Sequence, residues 1–342
     1  MKIGLIGYGA WGSHHASAIT ESGAFELAAV CSQSEPSRQA ASGKLGVPTH
    51  SDYRELLARP ELDAVDIVLP THLHQEVASA ALEAGKHVLL EKPMTATQAG
   101  CRALIDLARS SGKILYIGHE LRHSTQWGRM RGMIEEGLVG TPQYATIDIW
   151  RRPYRLGASG WRYDPSRVGS WTLEEPIHFF DLGCWWLREA GRPISIYARG
   201  VRRPSSPPGL WDNLSAIVGF ESGAHLTVTQ SLATAEHHMS AKVVGTTGAA
   251  LAFWDGELDR TEHPACSLKL VRDGRLEDIP IAPSGELFEL RTQIRHFAAV
   301  VRGETTPVIT PEEGALAVAL CEAAERSIQS GRVETLSDIT RP

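Results

Sequence analysis

Short apolar runs alternate with amphipathic stretches through the first 120 residues. Residues 3–6, 27–31, 64–69, 87–90 and 114–117 read as strands, and 16–22, 37–44, 53–58, 75–84 and 97–110 carry helical spacing or composition. Gly43, Gly85 and Gly112 stand where helices stop. This alternation predicts an N-terminal α/β domain, a doubly wound parallel sheet, over 1–121. Beyond residue 122 the rhythm changes, and 144–150, 194–201, 215–220, 225–231 and 242–244 read as longer strands. An α+β domain with a large, open, mostly antiparallel sheet is expected over 122–342. The run Arg203-Pro204-Ser205-Ser206-Pro207-Pro208-Gly209 reads as a loop within it. Thr310-Pro311-Glu312-Glu313 supplies an N-cap, a first-turn proline and first-turn acids for a terminal helix over 311–330, which can pack back on the first domain. No internal repeat or low-complexity segment interrupts the pattern.

Composition narrows the classes. At 342 residues the chain suits two domains, each able to bury its own interior. Lys and Arg number 34 against 40 Asp and Glu, for a net charge of −6 without long blocks of one sign, so nucleic acid is not an expected partner. The 5 cysteines, at 31, 101, 184, 266 and 321, form no C-x-x-C pair, which points to neither a disulfide framework nor a cysteine zinc site. Strand-like residues follow Met1 directly, leaving no room for a signal peptide, and no apolar stretch reaches the roughly 18–20 residues of a membrane span. A soluble, cytoplasmic protein is the expectation.

Gly7-Tyr8-Gly9-Ala10-Trp11-Gly12 follows the first strand and opens a helical pattern, the context that a G-x-G-x-x-G motif requires. In such a loop Gly7 permits the tight turn, Gly9 the approach of backbone to a pyrophosphate and Gly12 close helix packing, with the helix-start N–H groups of Ala10 and Trp11 facing the anion. A dinucleotide cofactor follows. An acid about 20 residues past the loop would mark NAD, but Ser32-Gln33-Ser34 stands there, with Arg38 beyond it. Without a carboxylate to repel a 2′-phosphate the pattern leans to NADP through Ser32, Ser34 and Arg38, while NAD with Ser32 or Gln33 on the ribose stays open. Glu91-Lys92-Pro93 ends another predicted strand, at the edge where open α/β sheets bind ligands, and Lys92 there is a candidate proton-handling group.

Pro70-Thr71-His72-Leu73-His74, Gly85-Lys86-His87-Val88 leading into Glu91-Lys92-Pro93, Gly118-His119 with Arg122, Gly160-Trp161-Arg162-Tyr163-Asp164-Pro165, His178-Phe179-Phe180-Asp181-Leu182 and Pro311-Glu312-Glu313-Gly314 together resemble the glucose-fructose oxidoreductase, inositol dehydrogenase and rhizopine catabolism (Gfo/Idh/MocA) family. The resemblance implies a Rossmann domain, a second domain whose open sheet carries the substrate face and a homo-oligomer interface (dimer or tetramer), and a bound NAD or NADP. It implies hydride transfer at a carbinol carbon of a sugar, cyclitol or related hydroxy compound. Pro70, Thr71, His74, Glu91 and Lys92 would line the cofactor, Trp161 and Arg162 both cofactor and substrate, and His119, Arg122, Tyr163, Trp171 and Glu175 the substrate. The family's triple glycine, small residue and Asp-x-Gly-x-His appear here as Val168-Gly169-Ser170-Trp171-Thr172-Leu173-Glu174-Glu175-Pro176-Ile177-His178. Glu174 stands at the aspartate and Trp171 at the small residue, which implies a reshaped pocket.

Oxidation of an alcohol requires loss of its hydroxyl proton as the hydride leaves, so a base must be in reach. The resemblance gives His178 that role, at a helix start whose dipole favours neutral imidazole. Lys92 would hydrogen-bond the reacting oxygen, and Glu174, or its neighbour Glu175, would orient Lys92 or His178. The arginines at 151, 152, 155, 162 and 167, interleaved with Trp150, Tyr154, Trp161, Tyr163 and Trp171, read either as an anion or sugar pocket or as a sheet edge or subunit contact. His237-His238 lacks partners at metal-binding spacing, so no metal site is expected. Two other readings share this pattern: an NAD-dependent glycoside hydrolase that oxidises, eliminates and re-reduces, and a non-catalytic dinucleotide sensor.

Overall fold

The computed structural model describes residues 1–336 of the chain. They divide into two compact units: Met1–His119 with Leu290–Ala315, and Glu120–Glu289 with the chain from Leu316 on.

The first unit is built on six parallel strands, β1 (Lys2–Ile6), β2 (Glu26–Cys31), β3 (Thr49–His50), β4 (Ala64–Ile67), β5 (His87–Glu91) and β6 (Leu115–Gly118), in the order β3-β2-β1-β4-β5-β6. The strand order reverses between β1 and β4, which opens a crevice at their carboxyl ends. Strands buried on both faces read as continuous apolar runs, which is why β1, β4 and β5 were visible in the sequence. The first helix, Ala10–Ser22, starts on the glycine loop rather than at residue 16. Gly46, not Gly43, ends the helix Glu35–Leu45 in the left-handed region, while Gly112 ends Gln98–Ser111 as expected.

The sequence boundary gave everything after residue 121 to the second domain, but Leu290–Ala315 belongs to the first unit. Leu290, Ile294, Phe297 and Ala298 of the helix Glu286–Val301 join Ile3, Ile19, Phe25 and Tyr116 in one buried cluster. The terminal helix Pro311–Ser330 divides between the units at Ala315. Its start is a reciprocal cap: Glu313 N–H donates to Thr310 Oγ1 (3.2 Å) and Thr310 N–H to the Glu313 carboxylate (2.9 Å).

The second unit carries a nine-stranded sheet of β7 (Pro142–Trp150), β8 (Pro193–Val201), β9 (Asn213–Phe220), β10 (His225–Ser231), β11 (His237–Gly245), β12 (Gly248–Gly256), β13 (Ala265–Arg272), β14 (Arg275–Ile279) and β15 (Glu334–Thr335). Its order is β14-β13-β12-β11-β7-β10-β9-β8-β15, antiparallel except where β10 runs parallel to β7. Strict alternation along β7 buries Ala145, Ile147 and Ile149 and turns Thr146, Asp148 and Trp150 outward. The helix Pro176–Trp186 covers the inner face and is buried nearly all round. The polar run 203–209 is the loop from β8 to β9.

Candidate active site

In the first unit the glycine loop turns directly from β1 into Ala10–Ser22. A methyl group at Gly7 (φ 105°) would lie 2.0 Å from the Val68 carbonyl oxygen, and one at Gly12 would lie 2.0 Å from that of Gly7. Packing therefore demands both glycines. At Gly9 a methyl group would meet nothing within 4 Å, so the backbone there faces open space that a ligand can approach. The helix starts without a side-chain cap and without an acid in its first turn, which leaves its positive end for an anion. The donor set fits a dinucleotide pyrophosphate.

At the end of β2 the residues expected to choose the cofactor are engaged with one another. Ser34 caps the helix Glu35–Leu45 by accepting from Ser37 N–H, and Arg38 donates to the carbonyls of Ser32 (2.7 Å) and Gln33 (2.8 Å). Its other terminal nitrogen pairs with Glu35, whose carboxyl is held below its ordinary value by Gln39 and Arg38. Glu35 is the carboxylate that the sequence reading did not count here.

Lys92 leaves β5 through a cis bond to Pro93, and two contacts fix that exit. His74 bridges the carbonyls of Pro93 (2.7 Å) and Leu69 (2.8 Å), joining the loops after β5 and β4, and buried Thr71 lies in the turn between. Glu91 accepts from Lys92 N–H (3.1 Å) with one oxygen and meets His15 Nε2 (3.1 Å) with the other. His15 Nδ1 lies 2.7 Å from Asp66, and all three side chains are buried. Burial opposes an imidazolium there, but the charge of Asp66 and the hydrogen bonds of Asp66 and Glu91 outweigh it and push His15 up to about 10. Burial also raises the Asp66 carboxyl, yet two anionic contacts keep the proton on His15. This cluster escaped the sequence reading because His15, Asp66 and Glu91 come from a helix and two strands far apart in the chain. His119, after β6, is buried as well.

In the second unit His178 is buried in the first turn of Pro176–Trp186, where Pro176 occupies the expected early position. Glu120, in the turn Glu120–His123, lies 3.8 Å from His178 Nε2. The neighbouring acids take different arginines: Arg162 Nε donates to Glu174 (2.6 Å), and Arg151 pairs with Glu175. Glu174 pairs with Arg162, and Glu120 is a carboxylate beside the histidine. Its only sequence signal is an acid two positions before Arg122.

Arg122 and Trp171, both expected at the substrate, are buried within the second unit. Arg122 forks onto Asp181 with Nε (2.9 Å) and a terminal nitrogen (2.6 Å), both side chains 2 % exposed, and lies over the Trp185 ring. Trp171 is buried between Tyr154 (ring centroids 5.6 Å) and Tyr163 (5.1 Å) and donates to the Arg162 carbonyl (2.9 Å). An indole of that size needs an apolar seat, and Val168, Leu210 and Leu232 complete it. Trp161 lies in the same cluster, with the Arg162 guanidinium over its ring at 4.8 Å. Trp171 therefore anchors the 158–173 segment.

The interleaved arginines separate likewise. Arg151 is buried, pairs with Glu175 and Asp259 (3.0 Å) and lies over Tyr154, while Arg155 reaches Asp259 from the surface (3.3 Å) and Arg152 bonds the Ala235 carbonyl. Among the described residues no group of three or more His, Cys, Asp or Glu can hold a metal ion, and no helix is long and apolar enough to cross a membrane.

Residues 1–119 match the model of the oxidoreductase family with an NAD-binding Rossmann fold, and 127–251 match the GFO/IDH/MocA C-terminal domain. The chain is 28% identical to D-xylose 1-dehydrogenase (NADP(+)) 2 of Haloferax volcanii, over 97% of this chain and 98% of that one. It is 27% identical to myo-inositol 2-dehydrogenase of Thermotoga maritima, over 99% of each. The aldose-aldose oxidoreductase of Caulobacter crescentus, solved with glycerol, shares the fold with a TM-score of 0.86 at 19% identity, over 98% of this chain and 99% of that one. With both a dinucleotide-binding half and a C-terminal half matched, the chain belongs to the Gfo/Idh/MocA family of NAD(P)-dependent oxidoreductases.

Proposed function

We propose that the protein exchanges a hydride with nicotinamide at a carbinol or carbonyl carbon of a sugar, cyclitol or related hydroxy compound, with Lys92 and His178 handling the proton. The observation that carries this reading is Lys92, held at the end of β5 by the Glu91 and His74 contacts, in a unit whose glycine loop leaves Gly9 bare for a ligand. Relatives named as acting on xylose and myo-inositol support the substrate class.

Gly7, Gly9, Gly12 and the N–H groups of Ala10 and Trp11 would hold the pyrophosphate, and Pro70, Thr71 and the β5 exit would flank the nicotinamide end. Bound nicotinamide supplies the two-electron acceptor or donor. His178 takes the hydroxyl proton as the carbonyl forms and returns it in the reverse direction. Glu120, beside it, stabilises the imidazolium that results, a supporting part expected from Glu174 or Glu175. Lys92 donates to the substrate oxygen and stabilises its alkoxide character. Glu174 positions Arg162, and with it the Trp161 edge of the site.

The Glu35–Arg38 pair favours NAD over the NADP expected from Ser32, Ser34 and Arg38, because Glu35 sets a negative charge beside the place of a 2′-phosphate and occupies the arginine that would bind it. The outer face of the nine-stranded sheet, where Trp150, Ile217, Val244 and Phe253 are exposed between polar neighbours, is the surface for a second copy of the chain.

Lys92→Ala and His178→Ala, still folded and still quenching on NADH titration, are expected to lose about 10²–10⁴-fold in kcat on the true substrate. Turnover at the wild-type rate would overturn the assignment. Release of an aglycone with no net NADH would redirect it to the redox-neutral hydrolase.

A further inference from the structure

His237 opens β11 and is 3 % exposed, and neither of its ring nitrogens has a hydrogen-bond partner. Such atoms are rare in folded proteins because burial without a partner is costly. Glu175 Oε1 lies 3.7 Å from His237 Nε2, beyond a hydrogen bond. Arg151 holds the other Glu175 oxygen and is itself fixed by Asp259 and by the Tyr154 ring. Trp254 closes the apolar side, edge-on to the imidazole at 5.2 Å.

Burial, and then the charge of Arg151, push His237 down to about 3, so the ring is neutral and offers one donor and one acceptor. Glu175, as an anion, offers only acceptors. A group that both accepts from the imidazole N–H and donates to the carboxylate completes this set, and an alcohol hydroxyl does both. A phosphate or carboxylate ligand would meet the Glu175 and Asp259 charges instead.

We propose that His237 and Glu175 form a subsite for a non-reacting hydroxyl of the polyol substrate, which makes His237 a specificity-determining residue. The inference rests on the oxidoreductase reading above. Glu175 immediately precedes the helix that carries His178, whose N–H donates to the Glu175 carbonyl (3.0 Å). That turn ties the pair to the element that carries the base.

The test is a kinetic comparison across aldopyranoses and cyclitols, followed by the monodeoxy analogues of the best substrate, on the wild type and on His237→Phe and His237→Gln. On the wild type one deoxy position is expected to cost on the order of 10²-fold or more in kcat/KM, because it leaves buried polar groups unpaired. His237→Phe should reduce that penalty to below about ten-fold by losing the parent substrate rather than gaining the analogue, and His237→Gln, which keeps a donor and an acceptor, should restore part of it. If both variants bind NADH, turn over the parent and discriminate against every deoxy analogue as the wild type does, the subsite is wrong and the oxidoreductase reading stands. Should His237→Phe not fold, unchanged discrimination by His237→Gln together with no deoxy penalty on the wild type would overturn it equally. A wild type that oxidises no polyol overturns both.

Discussion

In the first unit His15 lies between Asp66 and Glu91, and in the second His237 lies beside Glu175 and near Asp259. Both imidazoles are buried beside carboxylates, yet one is pushed up to about 10 and the other down to about 3. Burial lowers both, so the difference comes from competition. Asp66 has His15 as its charged partner, whereas Arg151 takes the charge of Glu175 and Asp259 and repels a proton from His237. A buried carboxylate charges a histidine only when no guanidinium claims it first. The first arrangement is a fixed ion cluster behind Lys92, and the second leaves a neutral ring with unfilled donor and acceptor positions.

Removing the anion that charges His15 should have the largest effect. Asp66→Ala leaves a buried imidazole with one carboxylate and is expected to cost about 3–5 kcal/mol of stability, read from the urea midpoint. Folded His15 holds its proton more tightly than the unfolded chain, so the cluster's contribution is fully present below about pH 6.5 and is lost as the pH rises through about 10. The wild type and Asp66→Ala should therefore converge in alkali. A constant gap from pH 7 to 10.5 would show His15 to be neutral. Asp66→Asn, if folded, should also lower kcat more than it raises KM for the cofactor, since Glu91 meets His15 with one oxygen and accepts from Lys92 N–H with the other.

The second cluster can be turned toward the first by deleting its cation. Arg151→Met frees Glu175 to pair with His237, while Arg155 and Arg260 still compensate Asp259, so the expected cost is about 1–3 kcal/mol. The His237 ring should then titrate near or above the ordinary value of about 6.5, visible as a pH-dependent shift of its imidazole ¹⁵N resonances. In the wild type the same ring stays neutral to about pH 3, and its stability contribution, present above about pH 6.5, is lost only as the pH falls through that value. A ring that remains neutral at pH 5 in Arg151→Met would mean that burial alone sets its state.

These clusters also mark where the sequence stops being readable. Strands β1, β4 and β5 and the glycine loop were legible because burial on both faces and a positive φ at Gly7 constrain residue type locally. The terminal helix was legible from Thr310 and Pro311 for the same reason. Strands β12 to β14 went unread because their alternation is diluted by alanine, glycine and charge, and the helix Glu286–Val301 because nothing local announces which unit it joins. Arg122, Glu120 and His15 depend on neighbours more than fifty positions away, Trp171 on how its own loop folds around it, and Glu174 and Glu175 on which arginine each reaches. Residue type identified the chemistry, and partner choice required coordinates.

Partner choice also governs the smallest expected effect, at Glu35 and Arg38. Glu35 is exposed and Arg38 half-buried where the histidine clusters are fully buried, so solvent screens the pair and its influence is slight. Glu35→Gln removes the negative charge and releases one Arg38 nitrogen while leaving the bonds from Arg38 to the Ser32 and Gln33 carbonyls. The ratio of kcat/KM for NADP over NAD should rise by less than about ten-fold, and the rise should shrink in high salt. Arg38→Ala in the same background should return it, because the released guanidinium is the group that binds the 2′-phosphate. A ratio indifferent to both changes would move cofactor choice away from this pair to Ser32 and Gln33, whose contacts to a ribose need no charge.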